Sequence, residues 1–308
     1  MVSVMNSMVA MFCILLQTLL ANAFTPPQLL SKGLVLLRMN ARERMPWIYR
    51  MGTESRMGTE SGMDAESVVV TEPDMKSALL KLLEGAGEGS GYRLKDKENE
   101  IDSYVSALQA ESPSIIDTMR TLEGEWDLLY TNDDPTRSSP FFHAFRKALV
   151  DIPDPFSLLS PSLCESVFMI TDNIPSSIKS VGAVKQYFTK LGEDKNVELK
   201  SEVRVKVNPA GSSLMTTTSK VYLNDNDKEL ELQVQNTEIL DSSVSSFIPF
   251  LDNIQEKFGG FPSGALLETV RAGSSTIYMT NLYLDDQLRI TKYSSSPDKV
   301  FIYRKRTY

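Results

Sequence analysis

From Val197 to Val207 the chain alternates: Val197, Leu199, Val203, Val205 and Val207 stand against Glu198, Lys200, Glu202, Arg204 and Lys206. A period of two puts the two sets on opposite sides of a pleated strand, one dry and one wet; a helix would scatter them around its axis. Trp126, Leu128 and Tyr130 likewise share one face of a strand that opens at Gly124. Further strands are predicted over 164–171, 183–191, 214–223, 229–239, 276–284, 287–293 and 299–304. Short polar turns such as Asn224-Asp225-Asn226-Asp227 join neighbours. About eight strands so connected suggest an antiparallel meander that removes its exposed edges by closing into a barrel, with room for one small ligand. A β-sandwich meets the same periodicity and stands as the alternative.

Ahead of the strands the period lengthens. Met75, Leu79, Leu82 and Leu83 follow Pro73 at helical spacing, and Gly85, Gly87, Gly89 and Gly91 stop the pattern. Ile101, Tyr104, Val105 and Leu108 then mark one face of a second helix over 96–109, with Lys97, Glu98 and Glu100 toward water. Such a stripe is a packing face. The predicted organisation is a helical extension over 64–115 and a mainly β, antiparallel barrel domain over 116–308.

Charge separates the leader from this body. The first 63 residues hold 6 Lys/Arg against 3 Asp/Glu, which leaves 26 against 37, a net −11, in residues 64–308. An acidic body without clustered Lys and Arg argues against nucleic acid as a partner. Residues 1–23 read as a signal peptide, with an apolar run from Val9 to Leu16 and small residues at Ala21-Asn22-Ala23. An anchoring helix is the alternative. Phe24 to Arg42 then holds no acidic residue while Lys32, Arg38 and Arg42 add positive charge, which is transit-peptide composition. The repeat Arg50-Met51-Gly52-Thr53-Glu54-Ser55, Arg56-Met57-Gly58-Thr59-Glu60-Ser61 reads as a spacer, so 24–63 is assigned to transit peptide and spacer. Cys13 falls in the leader, and Cys164 is left without an internal disulfide partner.

Three stretches carry a resemblance. Leu122-Glu123-Gly124-Glu125-Trp126-Asp127-Leu128-Leu129-Tyr130-Thr131 resembles the opening strand of the plastid lipid-associated proteins, or fibrillins. Tyr283-Leu284-Asp285-Asp286-Gln287-Leu288-Arg289-Ile290 with Val300-Phe301-Ile302-Tyr303 resembles that family's closing hairpin, and Val181-Gly182-Ala183-Val184-Lys185-Gln186 with Asn196-Val197 matches more loosely between them. The chain departs from the family at Thr291-Lys292-Tyr293-Ser294 and at Asn281-Leu282. The resemblance implies a lipocalin-like barrel preceded by helices, placed at thylakoids or plastid lipid droplets (plastoglobules), that binds quinones, carotenoids or fatty acids. The leader resembles the bipartite signal-plus-transit sequence of algae with a complex red-derived plastid, which implies a chloroplast location. Gly124 and Trp126 also resemble the lipocalin opening motif, which implies a structural role for Arg289, or failing that Arg304, stacked on the indole.

Chemistry is scarce in this sequence. The one histidine, His143, stands in a Pro/Ser-rich loop without a nucleophile or orienting carboxylate beside it, and reads as structural or solvent-facing. Asp133-Asp134 and Asp225-Asn226-Asp227 lack the spacing of a calcium loop and read as turns. Asp285 and Asp286 could be an acid and base pair; the preferred reading is one capping the hairpin and the other pairing with Arg289 or Lys292. No catalytic, metal or cofactor residue is assigned. The candidate ligand-binding residues, facing the barrel interior, are Trp126, Leu128, Tyr130, Phe168, Ile170, Tyr187, Val203, Val205, Met279 and Tyr283; Gly124, Trp126, Asp285, Asp286 and Arg289 form the structural motif.

Two long connections, 132–162 and 241–275, hold Phe141, Phe142, Phe145 and Phe156, and Phe247, Ile248, Phe250, Leu251, Ile254, Phe258 and Phe261. Their aromatic density suggests a lid or a membrane-docking surface. The function that follows is binding or storage of a hydrophobic small molecule, without catalysis, at a peripheral membrane or lipid-droplet surface. An enzyme acting on a plastid lipid or isoprenoid is the alternative, and so is a coat protein whose core is filled by Trp126, Phe168, Tyr187 and Met279.

Overall fold

The alternation at 197–207 is one strand of a closed sheet. In the computed structural model, which describes residues 72–307 apart from 85–93, 95, 113–117, 153–161, 173, 176, 191–196, 208–210, 225–228 and 241–260, eight strands pair in chain order. They are β1 (Gly124–Thr131), β2 (Lys179–Lys190), β3 (Val197–Val207), β4 (Gly211–Leu223), β5 (Glu229–Leu240), β6 (Thr276–Leu284), β7 (Leu288–Tyr293) and β8 (Ser296–Lys305). Every neighbouring pair is antiparallel, and β1 pairs with β8 as well as β2, so the ring has no free edge. The signal peptide, transit peptide and spacer assigned to 1–63 lie outside the described residues.

Alternation assigns the two faces. Trp126, Phe188, Leu199, Val221, Leu230, Leu232, Met279, Phe301 and Tyr303 are buried together in the inner core. Register shifts occur in five of the strand pairs, and two of them, between Leu128 and Tyr130 on β1 and between Asn281 and Tyr283 on β6, reverse the face of a predicted interior residue. Each of these two inserts one extra residue, which turns the following side chain to the other face. Tyr130 and Tyr283, expected inside, therefore pack outside the barrel.

The outer face there is covered by two helices, α1 (Glu72–Glu84) and α2 (Glu98–Ala110). Leu79, Leu83, Ile101, Val105 and Leu108 join Tyr130, Tyr283, Leu288, Ile290 and Ile302 in a second core. The helical stripe read from the sequence is thus a packing face against β1, β6, β7 and β8. At the hairpin before β7, Asp285 accepts from the backbone N–H groups of Gln287 and Leu288, from the Tyr283 hydroxyl, and from Lys76 Nζ of α1. Burial pushes the Asp285 carboxyl up, but these four donors outweigh it and hold it below its ordinary value. Its cation is Lys76; Arg289 points into the barrel and does not pair with it. Asp286 is exposed at the hairpin tip.

A short helix, α3 (Thr118–Leu122), leads into β1. Between β1 and β2 the chain forms a 3-10 turn, Pro135–Ser138, then α4 (Pro140–Leu149) and α5 (Leu163–Asp172). The strand predicted over 164–171 is this helix α5. A short apolar run carries no period of its own, and tertiary contacts chose here: Phe168 packs on Phe142 and Phe145 while the Arg137 guanidinium lies 3.8 Å from its ring. Phe168 and Ile170 consequently belong to no barrel strand. In the second long connection α6 (Ser263–Val270) lies on β5, and the segment 244–258 of the expected lid is outside the described residues.

Gly264 sets the α6–β5 approach. A Cβ there would come within 2.0 Å of the Val234 carbonyl oxygen, a backbone atom that cannot rotate away. Gly264→Ala is expected to destabilise the chain by about 2–3 kcal/mol, seen as a lower urea midpoint, whereas Gly273→Ala, with open space around it, costs only its positive-φ strain of roughly 1 kcal/mol.

Candidate functional site

Strand β7 sends Leu288 and Ile290 outward and Arg289, Thr291 and Tyr293 inward. Arg289 is fully buried, with its guanidinium carbon 4.3 Å from the Tyr303 ring, 4.8 Å from Phe188 and 5.1 Å from Trp126. Burial pushes its pKa down to about 10 against the favourable tyrosines Tyr303 and Tyr293, so it remains a cation at neutral pH. Its Nη2 donates to Gln186 Oε1, and its Nε and Nη1 have no hydrogen-bond partner among the described residues.

The indole beneath it is fixed from below. Trp126 Nε1 donates to the Leu122 carbonyl at 2.7 Å, and Lys305 Nζ stands 5.4 Å from the ring while donating to the Thr121 carbonyl. Gly124 enters β1 at φ 122°, a conformation that L side chains rarely adopt. Arg304, the second candidate for the stack, instead pairs outside with Glu84 of α1.

The connection 134–149 enters the barrel from the other end. Gln186 Nε2 and the Tyr293 hydroxyl both donate to the Ser138 carbonyl, at 2.9 and 3.0 Å, and the Ser139 hydroxyl bonds Thr217 Oγ1 at 3.0 Å. All three partners are inward residues, so Ser138 and Ser139 sit inside the ring. Asp134 starts this strap: it accepts from Thr136 N and Oγ1 and pairs with Lys179 of β2 at 2.7 Å. Burial raises the Asp134 carboxyl, but Lys179 and Thr136 bring it down to about 2.

His143 lies on α4, buried, not in a loop facing solvent. Its ring stacks on Tyr293 at 3.7 Å. Nε2 is 2.7 Å from the Arg137 carbonyl, which can only accept, so Nε2 carries the hydrogen and Nδ1 accepts from the Ser295 hydroxyl. Burial drives its pKa down to about 3, with Arg146 and Arg137 adding to it against the Arg137 carbonyl bond. Phe141 and Phe145, exposed-looking in the sequence, are buried on the same helix.

The inner wall also carries buried polar side chains. Ser201 on β3, Ser219 on β4, Asn281 on β6, Thr291 on β7 and Tyr303 on β8 bury side-chain polar atoms that have no hydrogen-bond partner among the described residues. Register puts Ser201 opposite Gln186 and Thr217, and Asn281 opposite Thr291, all on the inner face. The Tyr303 hydroxyl reaches toward Ser138 without forming a well-shaped bond, and burial raises its pKa well above the ordinary value. Sequence reasoning missed Gln186, Ser201, Ser219, Asn281 and Thr291 as lining residues. The available signal was that they occupy the apolar phase of their strands.

The predicted interior residues divide accordingly. Trp126, Leu128, Val203 and Met279 face inward, with Val205 on the same side of β3 as Val203 and half-buried near its end. Tyr187 faces outward between Gln186 and Phe188, with its hydroxyl toward Glu202. Tyr130 and Tyr283 face α1 and α2, while Phe168 joins the inner core from α5. Among the described residues no group of three His, Cys, Asp or Glu side chains could hold a metal ion.

An edge-free, eight-stranded antiparallel barrel closed by an arginine–tryptophan clasp and flanked by two N-terminal helices is a lipocalin-like barrel protein. The family model described as PAP_fibrillin matches residues 73–302, and the chain belongs to that family of plastid lipid-associated proteins, whose members are generally structural and non-catalytic. No curated protein and no solved structure matches the chain significantly.

His143 supplies a pH test, since it is the only histidine in the chain. Its folded pKa of about 3 lies below the ordinary 6.5, so between those values the unfolded chain binds a proton that the folded chain refuses. Stability is therefore complete above pH 6.5 and falls by about 1.4 kcal/mol per pH unit as pH drops below it. Urea midpoints measured from pH 7 to pH 5 should fall for the natural chain and stay nearly level for His143→Gln; equal slopes would show that His143 is not excluded from protonation.

Proposed function

We propose that the chain binds or stores a hydrophobic small molecule, of the quinone, carotenoid or fatty-acid class, inside its barrel, at a thylakoid or lipid-droplet surface of a plastid. The observation that carries this reading is the inner wall of unpartnered polar atoms on Ser201, Ser219, Asn281, Thr291 and Tyr303. Leaving a buried donor or acceptor unsatisfied costs about 1–3 kcal/mol each. A barrel that only had to pack would avoid that cost with apolar side chains, as it does at Leu199, Val221, Leu230 and Leu232. A ligand with an apolar body and a polar group would satisfy such a wall and bury its hydrocarbon at about 25 cal/mol per Å². The family supports the lipid association; the leader's composition supports delivery to the plastid through a signal peptide and a transit peptide.

A coat protein with a self-filled barrel is the second reading, favoured by the strap, whose Ser138, Ser139 and His143 occupy part of the interior. Solvent extraction of the purified full chain, followed by mass spectrometry, separates the two. About one hydrophobic molecule per barrel is expected. A chain that carries none, and retains none when offered a quinone, a carotenoid and a fatty acid in turn, would be a coat.

A further inference from the structure

The chain balances its other deeply buried cations. Arg137 meets Asp172 at 2.7 Å, and Lys179 meets Asp134 at 2.7 Å. Arg289, the most enclosed of the three, pairs with no carboxylate among the described residues; Tyr293 and Tyr303 are the ionisable groups acting on it. Burial raises the pKa of both tyrosines, so both are neutral near pH 7. A clasp on Trp126 needs the face of the guanidinium. It does not need Nε and Nη1 left as donors with no acceptor, beside a Tyr303 hydroxyl in the same state.

Those donors lie directly across the strand pair, since Arg289 and Tyr303 are register partners on β7 and β8. A single positive charge with unmet N–H donors, enclosed by Trp126, Phe188, Tyr303 and Gln186, matches a group that is singly negative and accepts only. A carboxylate has that chemistry. Carotenoids lack it, quinone carbonyls carry no charge, and a phosphate brings a second charge that nothing on the wall balances.

We propose that Arg289 and the Tyr303 hydroxyl form the head-group site of the barrel, and that the ligand is a long-chain carboxylic acid held as its anion, its chain lying against Leu199, Val221, Leu230 and Leu232. This rests on the reading of the chain as a binder of hydrophobic molecules, and narrows it to one class. No covalent step is involved.

The test compares three probes of equal chain length on the full protein by calorimetric titration at pH 7.5: palmitate, methyl palmitate and hexadecanol. Palmitate should bind at least tenfold more tightly than the ester and the alcohol, a difference of about 1.4 kcal/mol. Arg289→Met should remove that preference. Because Arg289→Met also removes the clasp on Trp126, Tyr303→Phe serves as the second variant: it keeps the ring and should weaken palmitate severalfold while leaving the ester unchanged. If the natural chain binds all three probes within threefold of one another, the head-group site is overturned and the broader binding function survives. If it binds none of them, the head-group site is overturned, and the broader binding function falls with it only if a quinone and a carotenoid are not retained either.

Discussion

A positive charge sealed inside a closed sheet is the constraint around which this structure is arranged. Moving an ion the size of a guanidinium out of water costs several kcal/mol even after relaxation. Arg289 recovers part of that from aromatic faces on three strands, Trp126 on β1, Phe188 on β2 and Tyr303 on β8, each worth up to about 2 kcal/mol when desolvated. It recovers another part from Gln186, which turns its oxygen to Arg289 and its nitrogen to Ser138. Those partners fix the closing seam of the barrel at one end and anchor the strap at the other, so one side chain links the two.

The strap in turn explains the neutrality of the interior around α4. His143 can stack on Tyr293 and donate to the Arg137 carbonyl only as the uncharged ring, and Arg137 and Arg146 nearby add a penalty against a second positive charge. The Asp134–Lys179 pair holds the strap's entry at the start of β2. Outside, Lys76 ties α1 to the Asp285 hairpin, so the helical extension and the β6–β7 turn are joined by charge as well as by the second hydrophobic core. Polar groups here hold apolar layers in register.

The inner wall is unlike this economy. The same barrel that satisfies Gln186, Ser138, Ser139 and Trp126 leaves Ser201, Ser219, Asn281, Thr291, Tyr303 and two nitrogens of Arg289 without partners. That contrast, within one molecule and at comparable burial, is the observation on which the proposed binding function rests.

Periodicity was enough for β3, because a two-residue repeat of Val and Leu against Glu, Lys and Arg can be stable only as a half-buried sheet, and for α1 and α2, whose apolar residues recur at helical spacing; the other strands were legible as short runs rich in β-branched and aromatic residues between turns. The family and its closing motif were likewise legible, since Gly124 and Trp126, and Asp285 and Arg289, stand in short contiguous strings, although the stack of Arg289 on Trp126 joins β7 to β1. The tertiary structure alone decided the rest. Bulges shift phase without altering composition, so Tyr130 and Tyr283 looked inward and pack outward. A short apolar run has no period to read, so α5 passed for a strand until Arg137 and the strap's phenylalanines were placed against Phe168. The lining of Ser, Thr, Asn and Gln could not be seen because a single polar residue in the apolar phase of a strand reads as noise, and becomes a wall only when closure brings such residues from five strands onto one inner surface.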